Sequence, residues 1–175
     1  MRSGTFDCLR QLRAKYGPGV YGKIAQKLLA LAFYEAGFRH VVERGVQGVD
    51  IDVASSAEEK YALEVKTTDG ESITISNENI EALRERAKDG YVPLIAALRM
   101  QLFEDWMFGK IPLGQLRAGS LPLRRLRAYR LRALETLVCP AFEAVVKQHF
   151  TAVLSGGEHC LSDLLEQRRK SASST

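Results

Sequence analysis

Two stretches of the chain alternate strictly between apolar and polar positions. The first runs Val49, Asp50, Ile51, Asp52, Val53, and the second sets Tyr61, Leu63 and Val65 against Ala62, Glu64 and Lys66. A period of two marks a strand with one face turned to a core. Only the polar stretch 55–59 separates them, so the pattern predicts an antiparallel hairpin. Upstream, residues 23–36 are rich in helix formers. They place Ile24, Leu28, Leu31 and Ala32 on one face, widened by Leu29 and Phe33, as in a helix packed well into a core. Gly37 is placed to cap that helix, and residues 38–43 read as a strand broken by Gly45 and Gly48.

Downstream, Asp69-Gly70 marks a turn and residues 73–75 are expected to extend the sheet. Ser76 or Asn77 caps a helix that runs to about Asp89, with Glu78 in its first turn and Ile80 and Leu83 buried. Gly90 stops it. Residues 91–98 form an almost continuous apolar run, which predicts an interior strand covered on both faces. A strand–helix–strand crossover lays it parallel to a hairpin strand. The order is therefore helix, three strands, helix, strand: an α/β core with a mixed central sheet.

The flanks carry weaker patterns. Residues 1–19 read as a basic N-terminal arm, with a short helix ending in the Gly17-Pro18-Gly19 turn. Residues 103–111, with Trp106, suit an edge strand. Residues 121–138 suit an Arg- and Leu-rich helix burying Leu123, Leu126, Leu134 and Leu137, and Pro140 suits the start of another, running to about Leu154. A break at 155–157 and a short helix over 161–169 follow. The expected organisation is an arm (1–19), a core (20–111), a basic helical extension (112–170) and a disordered tail (171–175).

Composition fits this picture: 175 residues, 46% hydrophobic and 26% charged, are typical of a soluble globular chain. The longest apolar run, 28–33, is far short of the roughly 18–20 residues that span a bilayer, so no membrane association is expected. No basic-then-apolar leader opens the sequence, and the expected location is the cytoplasm, at the nucleoid. Cys8, Cys139 and Cys160 are odd in number and widely spaced, which argues against a disulfide framework. Cys139, His149, His159 and Cys160 match no metal-ligand spacing. His40, His149 and His159 read as surface or packing residues, and Glu35 and Glu43 as solvated charges.

Charge is uneven. Against a net +4, the stretch 110–134 holds Lys110, Arg117, Arg124, Arg125, Arg127, Arg130 and Arg132 with no acid. Such a block suits a polyanion partner, or equally a solvated or intersubunit helix face.

The hairpin carries the chemistry. Asp50 and Asp52 share one face of its first strand, and Glu64 and Lys66 share a face of its second. Converging carboxylates suit a hard cation such as Mg²⁺ or Mn²⁺, with Val65 offering its backbone carbonyl. A neighbouring lysine suits phosphodiester hydrolysis. Alternating charge is also what any half-exposed strand shows, so the pattern alone leaves both readings open.

In context, the sequence resembles the PD-(D/E)XK nuclease superfamily: Gly48-Val49-Asp50-Ile51, then Leu63-Glu64-Val65-Lys66, within the helix, three strands, helix, strand order. Within it, Gly22-Lys23-Ile24-Ala25-Gln26, Glu64-Val65-Lys66-Thr67-Thr68 and Pro93-Leu94-Ile95-Ala96 resemble archaeal-type Holliday junction resolvases over residues 20–108. The resemblance implies a restriction-endonuclease-like αβββαβ core with a C-terminal helical extension, and a Mg²⁺- or Mn²⁺-dependent DNA endonuclease, homodimeric and acting on branched DNA in recombination and repair. It implies Asp50, Glu64 and Lys66 as the catalytic set, with Asp50, Glu64 and Val65 as ligands. Asp52 remains an alternative or added ligand, although the preceding Gly48-Val49 favours Asp50. Lys23, Arg44, Arg117, Arg124, Arg125 and Arg127 are the expected DNA contacts. Two positions depart from the pattern. Gln26 stands where the first helix usually offers a glutamate, and Gln47 where a serine is common. A sequence-specific restriction or homing endonuclease and a catalytically decayed DNA-binding member are the alternatives.

Overall fold

The computed structural model describes residues 1–44, 48–55 and 59–172. Gly45 and Gln47, named above, lie outside the described residues. The described chain is a mixed α/β sandwich. A five-stranded sheet of order β1-β2-β3-β5-β6 is formed by β1 (His40–Glu43), β2 (Ile51–Ala54), β3 (Lys60–Thr68), β5 (Val92–Arg99) and β6 (Met107–Gly109). β1, β2 and β3 are antiparallel neighbours, β5 runs parallel to β3, and β6 closes the far edge antiparallel. The expected hairpin, crossover and edge strand are all present.

One face of the sheet is covered by α1 (Ser3–Glu35), α4 (Arg132–Gly156) and α5 (His159–Ala172). Ile51, Val53, Leu63, Val65, Leu94, Ala96 and Leu98 point into that layer, against Ile24, Leu28, Phe33, Phe142 and Val145. The other face, through Ala62, Ile95, Ala97 and Met107, meets α2 (Asn77–Lys88), α3 (Leu123–Arg127) and a two-stranded ribbon of β4 (Ser72–Ile75) and β7 (Gly119–Pro122). β5 is buried on both sides because each layer needs one of its faces.

Local signals explain several boundaries. Gly37, at φ 94°, lets its own N–H reach Tyr34 O and that of Phe38 reach Phe33 O, ending α1. Ser76 caps α2 by accepting from the Asn79 N–H, while the Asn79 side chain accepts from the Ser76 N–H, a reciprocal capping box.

Five expectations are corrected. The N-terminal arm is not separate. The expected break stands, since residues 3–35 are two helical segments meeting at the non-helical Gly17 (φ 73°, ψ 167°) before Pro18, but the first segment is packed: Leu9 and Leu12 are wholly buried in the same core as Leu134, Val138 and Phe142 of α4. Residues 73–75 do not extend the main sheet but pair with β7, Thr74 opposite Ser120. Residues 121–138 are not one helix. Strand β7 gives way to the five-residue α3, and the chain then runs along the β6 edge, with Lys110 N–H to Tyr129 O and Leu131 N–H to Phe108 O. Pro140 starts no helix; it sits on an exposed turn inside α4. Leu137, expected to be buried, is 49% exposed, whereas Leu123, Leu126 and Leu134 are buried as expected. The close seat of α3 on β6 depends on Gly109, where a Cβ would fall 2.0 Å from Leu126 Cδ1.

Candidate active site

The β2–β3 register pairs Ile51 with Leu63 and Asp52 with Ala62. One step further, Asp50 comes across from Glu64. Its Oδ2 accepts the Val65 N–H at 2.7 Å, which fixes the carboxylate against β3. Glu64, only 2% exposed, points to the α2 side of the sheet, as Ala62 does. Lys66 follows on the same face with its Nζ 2.7 Å from Glu64 Oε1. Glu64 Oε2 is buried and makes no hydrogen bond. The three expected catalytic residues are thus together at the end of the β2–β3 hairpin.

The electrostatics follow from that crowding. Burial, and then the Asp50 charge, push the Glu64 carboxyl up to about 7, opposed by Lys66 and by Asn79. Burial also raises Asp50, with the Glu43 charge adding to it, while the Val65 N–H and Lys66 pull it back. A buried carboxylate and a half-buried one beside a single ammonium leave an excess of negative charge. A divalent cation would neutralise it and would satisfy the bare Oε2.

The residues therefore fit a hard metal ion. Among the described residues no three or more Asp, Glu, His or Cys side chains form a full ligand set. Two carboxylates, the expected Val65 carbonyl and water are nevertheless a suitable shell for Mg²⁺, which keeps several waters and asks for few protein carboxylates.

Two neighbours were not expected at the site. Glu43, read from sequence as solvated, is 13% exposed at its side chain and pairs with Lys27 Nζ at 2.9 Å. It also accepts from Gln26 Nε2 at 2.7 Å. Gln26 donates further to Arg44 O at 3.1 Å and more weakly to Asp50 O at 3.4 Å. The amide at the first-helix position thus acts as a donor that braces the segment leading into Asp50. A glutamate there would face Glu43 without that donor. The second neighbour is Asn79, whose Oδ1 is held by the Ser76 N–H at 3.0 Å and whose side chain favours ionised Glu64. The Ser76-x-x-Asn79 capping spacing was visible in the sequence and points to this side chain; no local pattern pointed to Glu43.

Asp52 does not join the pair. It is 1% exposed and taken by two guanidinium groups, Arg44 (Nη2 3.0 Å) and Arg86 (Nη2 2.8 Å). Arg86 also stacks 4.0 Å over the Tyr91 ring. Its lone pairs are committed, so the expectation of Asp52 as a substitute ligand is corrected. Arg44, an expected DNA contact, is held in the same cluster.

The other expected DNA contacts divide. Arg127 pairs with Glu104 at 3.0 Å; Arg125 donates to Gln115 O, and Arg117 to Gly114 O and Leu116 O. Lys23 and Arg124 are exposed and have no protein partner among the described residues. An open groove of about 610 Å³ begins at Lys66 and is walled by Thr67, Thr68, Ser72, Thr74 and Asn79. No described helix is long and apolar enough to cross a membrane.

No family model matches the sequence, and no curated protein matches it. Among solved structures, the chain is similar to Hjc, a Holliday junction resolvase from the archaeal hyperthermophile Archaeoglobus fulgidus. The TM-score is 0.47 and the identity 19%, over 61% of this chain and 93% of that one.

Proposed function

We propose that the protein is a metal-dependent DNA endonuclease that hydrolyses phosphodiester bonds, acting on branched DNA as a homodimer. The observation that carries the reading is the bare, buried Oε2 of Glu64 beside Asp50, with Lys66 at 2.7 Å from the same carboxylate. A purely structural ion pair has no need of a second, half-buried carboxylate whose charge raises the first.

Asp50, Glu64 and the Val65 carbonyl are the residues that would hold Mg²⁺ or Mn²⁺, which supplies Lewis-acid polarisation of the phosphate and acidifies water. Lys66 sits 28% exposed at the groove mouth, so its ammonium can face both Glu64 and an incoming phosphate. There it offsets the charge that grows on the phosphoryl oxygens and orients the attacking water. Asn79 and the Val65 N–H hold the two carboxylates in place, so little reorganisation is needed when substrate arrives. The branched-substrate and dimer parts of the proposal rest on the sequence resemblance over residues 20–108. Gln26, a donor where a ligand is expected, favours a second reading: a decayed site that binds DNA without cutting it.

Cleavage of end-labelled four-way junction, flap and linear duplex DNA with Mg²⁺ or Mn²⁺ tests the proposal. Metal-dependent cutting of the junction that disappears in Lys66→Ala supports it. Binding without cutting supports the decayed site, and cutting of linear duplex at fixed sequences replaces branch recognition with sequence recognition.

A further inference from the structure

The structure assigns a track for a phosphodiester backbone to the outer face of the β4–β7 ribbon, entered at Lys66 and built from the hydroxyls of Ser72, Thr74 and Ser120; this inference rests on the nuclease reading above. Ile73, Ile75 and Leu121 of the ribbon are buried against α2 and α3. By alternation, Ser72 and Thr74 face the other way, and Ser120, directly opposite Thr74, shares their face. Thr74 and Ser120 are exposed and Ser72 half-buried. None of the three hydroxyls has a protein partner among the described residues. The neighbouring hydroxyls of Thr68 and Ser76 are committed, to Ser72 O and to the Asn79 N–H.

Position gives these free donors a use. Ser72 and Thr74 wall the groove that starts at Lys66, and the Lys66 ammonium, 2.7 Å from Glu64 Oε1, links the track to the carboxylate pair. At its other side, β7 is bracketed in sequence by Arg117 and Arg124. Pairing of β7 with β4 therefore bridges the reacting end of the hairpin and the basic segment. The groove wall contains no aromatic ring on which a base could stack. Hydroxyl donors suit phosphate oxygens and sugars, contacts that position a strand and read no sequence. Because they are neutral, they add affinity without releasing counterions.

The test is fluorescence anisotropy with a fluorescein-labelled four-way DNA junction in EDTA, over a range of salt, for wild type, Thr74→Val/Ser120→Ala, Thr74→Ser and Arg124→Gln. Valine keeps the β-branched shape, and thermal unfolding checks that the variants fold. The double variant should bind about 25-fold more weakly with an unchanged salt slope, each lost neutral hydrogen bond being worth about fivefold. Thr74→Ser should bind as wild type does. Arg124→Gln should lower the slope by about 1. Unchanged binding by a folded double variant, or loss of binding by Thr74→Ser, overturns the track while wild-type binding and cutting leave the nuclease reading standing. If the wild type binds no DNA, both fall together.

Discussion

Asp52 and Glu64 stand on the same face of one hairpin, 1% and 2% exposed, yet they are served very differently. Asp52 receives two guanidinium groups that fill its lone pairs and tie β2 to α2. Glu64 receives one ammonium, keeps an oxygen bare, and has a second carboxylate beside it. A buried charge is tolerated when paired and hydrogen-bonded, and is costly otherwise. The first arrangement is what a fold needs for its own sake. The second is the arrangement on which the proposed cation site rests.

The largest separation between the two carboxylates should appear in rate. Glu64→Gln and Lys66→Ala should each lower single-turnover cleavage by about 10³-fold, the range for losing one electrostatic element of a reaction site. Asp52→Asn, assayed at a temperature where it is folded, should stay within a few-fold of wild type. A comparable loss in Asp52→Asn would erase the distinction.

Stability should show the reverse order. Asp52→Asn strands two guanidinium groups and should cost about 3 kcal/mol in urea unfolding, at the low end for broken buried pairs because Arg44 is partly exposed. Without divalent metal, Glu64→Gln removes a repulsion and should be neutral or stabilising. If Glu64→Gln proves the more damaging change, Glu64 is a structural partner of Lys66 and no more.

A smaller effect should appear in the pH dependence of unfolding in EDTA. The Glu64 carboxyl is raised in the fold from 4.5 to about 7. The native state therefore binds more protons than the unfolded state inside that window, and stability falls as pH rises through it. Above about 7 the penalty is complete. Glu64→Gln should flatten this part of the profile, and Asp52→Asn should leave it in place.

How much of this was legible in the sequence follows from the range of the interactions involved. The period-two pattern around Asp50 and Glu64-Val65-Lys66 is local and carried the hairpin and its faces, whereas the catalytic role proposed for Asp50, Glu64 and Lys66 came from the family resemblance. The capped helix α2 and the apolar strand β5 carried equally local signals. Asp52 was misread because its arginines come from beyond the strand, Arg86 being 34 residues away. Glu43 was misread for the same reason, since Gln26 and Lys27 reach it from α1. In residues 119–138 a leucine spacing close to the helical period concealed β7, whose strand conformation depends on pairing with β4 some 45 residues earlier in the chain. The N-terminal arm looked detached because Gly17 and Pro18 signal a break, which is present, whereas packing of Leu9 and Leu12 from the far side of that break docks the first helical segment into the core.

Calorimetric titration of Mn²⁺ into wild type and Glu64→Gln, near pH 8 and without DNA, tests the contrast most directly. The account predicts saturable binding by the wild type, accompanied by a rise in its unfolding midpoint, and loss of both in Glu64→Gln. Equal Mn²⁺ binding by the two proteins, or none by either, would contradict the assignment of Asp50 and Glu64 as a metal site.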